Sequence, residues 1–344
     1  MKRNNVKILL TIILSVGIIQ QCRPQPEIPP SLDGMLLYLE DLDGTGGNAS
    51  GNFSDIVAFD PVSQKQYILT SDAYYDDYPT YSAKTRKVYF ESKREDYHPA
   101  VGLTAKSHIY ELDLTTKKIL LVDNEKFRKI LLLKDWQELT QPLISHNGIK
   151  LLFSYFGNTL NRINYKLTLY YLKLDSILVV DRIIYFPSRY IFSKNDSIIV
   201  FDSQTSGKIK NRTDYIALYN IHTKEKKILI MEKDKEKELG DYKYGKIVFT
   251  SKRWDEDVSN AVIFVYDISK KENIRIAGVK ELGFREIKFP VFKNENSIYF
   301  IGSKESKKPD TFDEDIYLLN LQTKEMKQIT FTHNIKDNLR HYNE

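Results

Sequence analysis

The sequence is poor in the residues that usually advertise chemistry: 344 residues hold one cysteine, two tryptophans, four methionines and six histidines. A single cysteine excludes an internal disulfide, so the core alone must hold the fold. The histidines His98, His108, His146, His222, His333 and His341 show no HxxxH or HExxH spacing, which removes the compact zinc-protease pattern. No glycine-serine elbow and no glycine-rich phosphate loop before a helix is present. Carboxylates are too numerous to single out one acid–base pair. Strong net charge is also missing, with 51 Lys+Arg against 46 Asp+Glu, and setting aside Lys2, Arg3 and Lys7 brings the two signs closer still. Such a balance gives no overall field to gather nucleic acid or an anionic surface. The apolar run from Ile8 to Ile19 is shorter than the roughly 20 residues needed to span a bilayer.

What is present is a large hydrophobic fraction, 42% with 12% aromatic, enough for an extensive core and incompatible with disorder. Lys2, Arg3 and Lys7 ahead of the Ile8 to Ile19 run, closed by Gln20 and Gln21, read as an export signal over residues 1–21. Cys22 falls at the junction where such a leader is cut. The segment Ile19-Gln20-Gln21-Cys22 resembles a bacterial lipoprotein box. That resemblance implies that Cys22 is acylated and becomes the new N-terminus, that the membrane is met through this lipid, and that Arg23 favours the outer membrane. Residues 22–31, with four prolines between 23 and 30, read as a stiff linker that holds the body off the bilayer.

The remainder, 32–344, repeats. Strands ending in a polar hairpin recur as Ile56-Val57-Ala58-Phe59-Asp60, Ile109-Tyr110-Glu111-Leu112-Asp113 and Ile263-Phe264-Val265-Tyr266-Asp267, with further copies ending at Lys173, Asn220 and Asn320. The steps are 53, 60, 47, 47 and 53 residues, suited to four short strands and their loops. A second apolar strand precedes each copy, as in Lys87-Val88-Tyr89-Phe90 and Lys246-Ile247-Val248-Phe249. The strands are apolar on both faces, as in sheets stacked between neighbours. An all-β, six-bladed propeller of four-stranded antiparallel blades follows. The end of the chain, Asn338-Leu339-Arg340-His341-Tyr342-Asn343, resembles Asp77-Tyr78-Pro79-Thr80-Tyr81-Ser82 of an inner strand, so pairing of the C-terminal with the N-terminal strand is expected to close the ring.

Pro79-Thr80-Tyr81-Ser82, Phe90-Glu91-Ser92-Lys93-Arg94 and Phe249-Thr250-Ser251-Lys252-Arg253 resemble the TolB-type, WD-like propeller repeat. The resemblance covers about residues 32–344 and implies a periplasm-facing envelope protein that lacks the α/β domain preceding the propeller in TolB proteins. The fifth repeat lacks an inner-strand proline before Lys246, which predicts an irregular blade.

Alternating strands place the second-to-third-strand hairpins and the inter-blade connections on one face. There the loops are long: 40–54, 92–106, 157–165, 202–212, 251–260 and 302–313. On that face Lys93, Arg94, Lys252, Arg253 and Trp254, with the acidic aromatic stretch Tyr74, Tyr75, Asp76 and Asp77, are the candidate partner-binding residues. Asp41 and Asp43, two apart on a glycine-rich loop, are candidate ligands of a structural calcium; no other cofactor is expected. The expectation is a monomeric, lipid-anchored propeller at the bacterial cell envelope that binds a protein or glycan partner, not nucleic acid, and performs no catalysis. The alternative is a hydrolase or lyase acting on an envelope or extracellular glycan, with a metal near His98, His108 and His333. A purely structural spacer is a third reading.

Overall fold

The computed structural model describes residues 26–42, 54–72, 74–94, 106–133, 137–159, 162–183, 189–204, 213–305, 312–332 and 334–342. These form six four-stranded antiparallel sheets. Blade 1 joins β24 (Lys336–His341) to β1 (Leu36–Glu40), β2 (Asp55–Asp60) and β3 (Lys65–Ile68). Blade 2 holds β4 (Asp76–Ser82), β5 (Lys87–Ser92), β6 (His108–Asp113) and β7 (Lys118–Leu121). Blade 3 holds β8 (Leu139–Ile144), β9 (Lys150–Thr159), β10 (Arg162–Tyr171) and β11 (Ser176–Ile183). Blade 4 holds β12 (Tyr190–Phe192), β13 (Ile198–Gln204), β14 (Thr213–Asn220) and β15 (Lys226–Lys233). Blade 5 holds β16 (Lys235–Lys243), β17 (Lys246–Arg253), β18 (Val262–Asp267) and β19 (Glu272–Gly278). Blade 6 holds β20 (Glu286–Asn294), β21 (Ser297–Glu305), β22 (Phe312–Asn320) and β23 (Met326–Gln328).

The continuous apolar strands are explained by burial on both sides. Successive side chains of a strand point to opposite faces, so Val88 and Phe90 of β5 join the core shared with blade 1 while Tyr89 joins the core shared with blade 3. Six hydrophobic clusters fill the six interfaces, including the one between blades 6 and 1, where Leu36, Tyr38 and Val57 meet Val291, Tyr299 and Ile316. Each such side chain contributes about 1.5–3 kcal/mol by leaving water.

The ring closes as expected: Leu36 faces His341, Leu37 faces Arg340 and Glu40 faces Lys336. Lys336 is fully buried at this seam, its Nζ 2.7 Å from the Glu314 carbonyl and from Thr332 Oγ1 and 3.6 Å from Glu40. Tyr342 continues the latch by accepting the Tyr81 N–H at its hydroxyl, 3.0 Å away, and packing its ring edge-on against Tyr81.

Two local expectations are revised, and one connection carries an unforeseen element. The fifth blade is a regular four-stranded sheet, its inner strand carrying a bulge at Gly240 without a proline. A Cβ there would lie 2.2 Å from the Pro290 carbonyl oxygen. The 157–165 stretch is not a long loop: β9 and β10 stay paired out to Thr159 and Arg162. The connection after β7 carries a short helix, α1 (Glu125–Ile130), capped by Asn124, whose buried Phe127 packs 4.5 Å from the Tyr170 ring.

Residues 26–31 lie on the ring. The Glu27 N–H donates to the Ile68 carbonyl at 2.8 Å, Lys65 pairs with Glu27, and Arg86 Nε donates to the Pro30 carbonyl.

Candidate functional site

Each inner strand starts on the long-loop face and runs along the axis. Four of them break register where a residue adopts left-handed backbone: Tyr78, Gln141, Phe289 and Asn338, with φ of 49°, 54°, 49° and 52°. This extra residue bends the strand and re-aims the side chain before it. Those preceding side chains are Asp77, Thr140, Lys288 and Asp337. Glu238 lies at the corresponding height of blade 5, and Glu286 precedes Lys288 on blade 6.

The charged groups among these stand on the inner strands of blades 1, 2, 5 and 6, which line the axis of the ring. Burial pushes the Glu238 carboxyl up to about 8, and Asp202, Asp337 and Glu286, on three other blades, push the same way. Asp77 is raised by burial and by Glu91 and Asp337. Burial raises Asp337, with Lys288 opposing, and raises Glu286, again against Lys288.

The acids set behind this ring have structural work. Glu91 accepts the Thr140 hydroxyl at 2.5 Å and the Gln141 N–H, Asp202 accepts the Leu239 N–H at 3.0 Å, and Glu314 accepts the Lys336 N–H at 2.8 Å. Each ties a second or third strand to the next blade's inner strand. Arg189 crosses the channel beneath them. It donates to the carbonyls of Gly240, at 2.8 Å, and Leu339, and its guanidinium lies 5.2 Å from the Phe289 ring centre. Burial, with Arg340 nearby, lowers it to about 9. The long-loop mouth is therefore an acidic funnel whose floor is an arginine shared by blades 4, 5, 6 and 1.

The residues nominated from sequence fall on two opposite blades. On blade 2, Arg94 is held by Asp76, at 2.8 and 3.0 Å, and by Asp72, with Tyr74, Phe90 and Tyr110 around its guanidinium. Asp76 is fully buried, and burial lifts its carboxyl to about 7 against the pull of Arg94. Tyr75 donates to Asp77 at 2.9 Å, Asn338 of blade 1 donates to Asp77 at 2.6 Å, and Lys93 lies 5.4 Å over the Tyr75 ring. On blade 5, Lys252 pairs with Glu236 at 2.6 Å and lies 6.0 Å from the half-buried Trp254 ring, while Arg253 projects into solvent beside Asp255. Blades 2 and 5 are three apart in a ring of six, so the funnel separates the two groups.

His108 sits 3.0 Å from Asp123, which also holds Arg128. His98, His333, Asp43 and Cys22 lie outside the described residues, and the half-buried Asp41 donates its N–H to the Ile335 carbonyl. No three His, Cys, Asp or Glu side chains among the described residues are arranged to hold a metal.

No family model and no curated relative matches the chain. Solved structures do. TolB from Acinetobacter baumannii superposes with a TM-score of 0.66 at 13% identity, over 92% of this chain and 68% of that one. A TolB-designated protein from Agrobacterium tumefaciens gives 0.58 at 12%, over 83% and 90%. An oligogalacturonate lyase in complex with manganese gives 0.53 at 12%, over 86% and 74%. At such identities the likeness is one of architecture, and the chain has the six-bladed fold of TolB-type propellers.

Proposed function

We propose that this propeller is a cell-envelope binding module whose long-loop face receives a protein partner, with a basic segment of that partner entering the acidic funnel. The observation that carries the reading is the placement of Asp77, Glu238, Glu286 and Asp337 on inner strands of four blades, where burial and then neighbouring carboxylates raise each carboxyl, so that an entering cation displaces the protons they hold and is retained by the carboxylates released. Arg253, Lys252 and Trp254 on one side and Lys93, Tyr74 and Tyr75 on the other form the rim contacts, while Asp76 and Arg94 brace the rim from beneath.

Acylation of Cys22 would anchor the module, in the outer membrane if Arg23 directs sorting. With residues 26–31 laid on the ring, only 22–25 remain as tether, about 14 Å when extended. A calcium ion at the Asp41 and Asp43 loop belongs to the same proposal and is tested by metal analysis of the purified chain.

The test of the face is crosslinking in intact cells with Arg253→Ala/Trp254→Ala. The captured species is expected to disappear; undiminished capture removes this face from the function. A glycan-cleaving reading is supported by the fold shared with the oligogalacturonate lyase. The funnel's charge argues against uronates, which carry a carboxylate on every sugar. Incubation with oligogalacturonate, read by the ultraviolet absorbance of an unsaturated product, decides it.

A further inference from the structure

The opposite face, formed by the tight turns within each blade, has the reverse charge. Over the eleven turns joining first to second strands in blades 2–6 and third to fourth strands in all six, counted with their flanking residues, sixteen lysines and arginines stand against nine aspartates and glutamates. That excess is larger than the formal +5 of the whole chain, so the rest of the sequence is acidic on balance.

The two signs are also used differently. Asp60, Asp113 and Asp267 accept N–H groups of their own turns, from Val62 at 2.8 Å, Thr115 at 2.8 Å and Ser269 at 2.9 Å. Lys84, Lys117, Lys118, Lys173, Lys194 and Lys270 are exposed, and none is ion-paired with a carboxylate among the described residues. Between them stand apolar tips: Val62 is 90% exposed, Leu174 72% and Tyr244 46%, with Lys65, Lys173 and Lys243 close by in sequence.

We infer that this turn face docks on an anionic lipid bilayer, the lysines at the headgroup phosphates and Val62, Leu174 and Tyr244 dipping to the headgroup–acyl boundary. Each lysine near such a surface adds about 1 kcal/mol of attraction, and apolar tips flanked by lysine fit an interface where one end is dry and the other wet. Docking this way points the acidic funnel away from the anionic lipid, which would otherwise repel it. The inference goes beyond the partner-binding proposal and does not need an acyl group on Cys22.

The test uses full chains carrying Cys22→Ser, so that no acyl chain is present and any contribution of residues 1–21 is common to all. Flotation with phosphatidylcholine vesicles containing phosphatidylglycerol is compared with flotation on phosphatidylcholine alone. Lys84→Glu/Lys117→Glu/Lys118→Glu/Lys173→Glu is expected to lower partition to the anionic vesicles about tenfold or more. Lys93→Glu/Lys252→Glu, on the other face, leaves it unchanged. A fluorescent dye on Val62→Cys, then the sole cysteine, brightens on anionic vesicles, while the same dye on Asp255→Cys does not. Equal flotation of the charge-reversed and parent chains overturns the inference. So does brightening at neither position, or retention by heparin or DNA without retention by vesicles.

Discussion

Breaking the Arg94–Asp76 pair strands a fully buried carboxylate without its counter-ion. Arg94→Met should therefore cost about 3–5 kcal/mol in urea unfolding, and adding Asp76→Asn should recover much of the loss. If Arg94→Met unfolded at the parent's midpoint, its bracing role would fail. Glu238 carries a pH dependence of definite sign. Its folded pKa, about 8, lies above the ordinary glutamate value, so between those values the folded state holds a proton that the unfolded state has released. Stability from this group is full below about pH 4 and is lost as pH rises through 8. Glu238→Gln should raise the melting temperature more at pH 9 than at pH 5; an equal shift at both would contradict the account. These axial acids were hard to see in the sequence. Each is an isolated polar letter in a short strand, and its partners lie on other blades. Only Asp77 carried a signal, standing two residues before the inner-strand Pro79.

At the level of elements, the inner-strand bulge is the device that aims side chains at the axis, and blades 1 and 5 build it without proline. Gly240→Ala forces a Cβ into the Pro290 carbonyl and should cost about 1–3 kcal/mol, measured by denaturant midpoint. A neutral result would show that the blade 5–6 contact has slack. The blades themselves were legible because an apolar strand buried on both faces leaves an uninterrupted run, and six such runs at similar spacing leave few alternatives. The 157–165 segment was misread because Gly157, Asn158 and Asn161 have turn chemistry, whereas ladder pairing between β9 and β10 continues past the sheet body. The helix α1 was missed because six residues are too few to display a helical period.

For the whole molecule, closure depends on one seam, and Lys336 is its buried cation. Lys336→Met removes the partner of Glu40 and the donor to the Glu314 carbonyl, and should lower stability by about 3–5 kcal/mol, with loosening first seen as hydrogen exchange in β24 and β1. Near-neutral total charge had argued against any strong surface field, yet the ring sorts its charges, acids to the funnel and lysines to the turns. Composition cannot reveal such sorting because it records no positions. On the proposed function, the funnel holds cationic groups. The most direct measurement is calorimetric titration of the full chain with a hexalysine peptide. Binding is expected, weakened about tenfold by Glu286→Gln/Asp337→Asn and left intact by Lys84→Glu/Lys117→Glu. No binding, or equal binding by the parent and Glu286→Gln/Asp337→Asn chains, would contradict it.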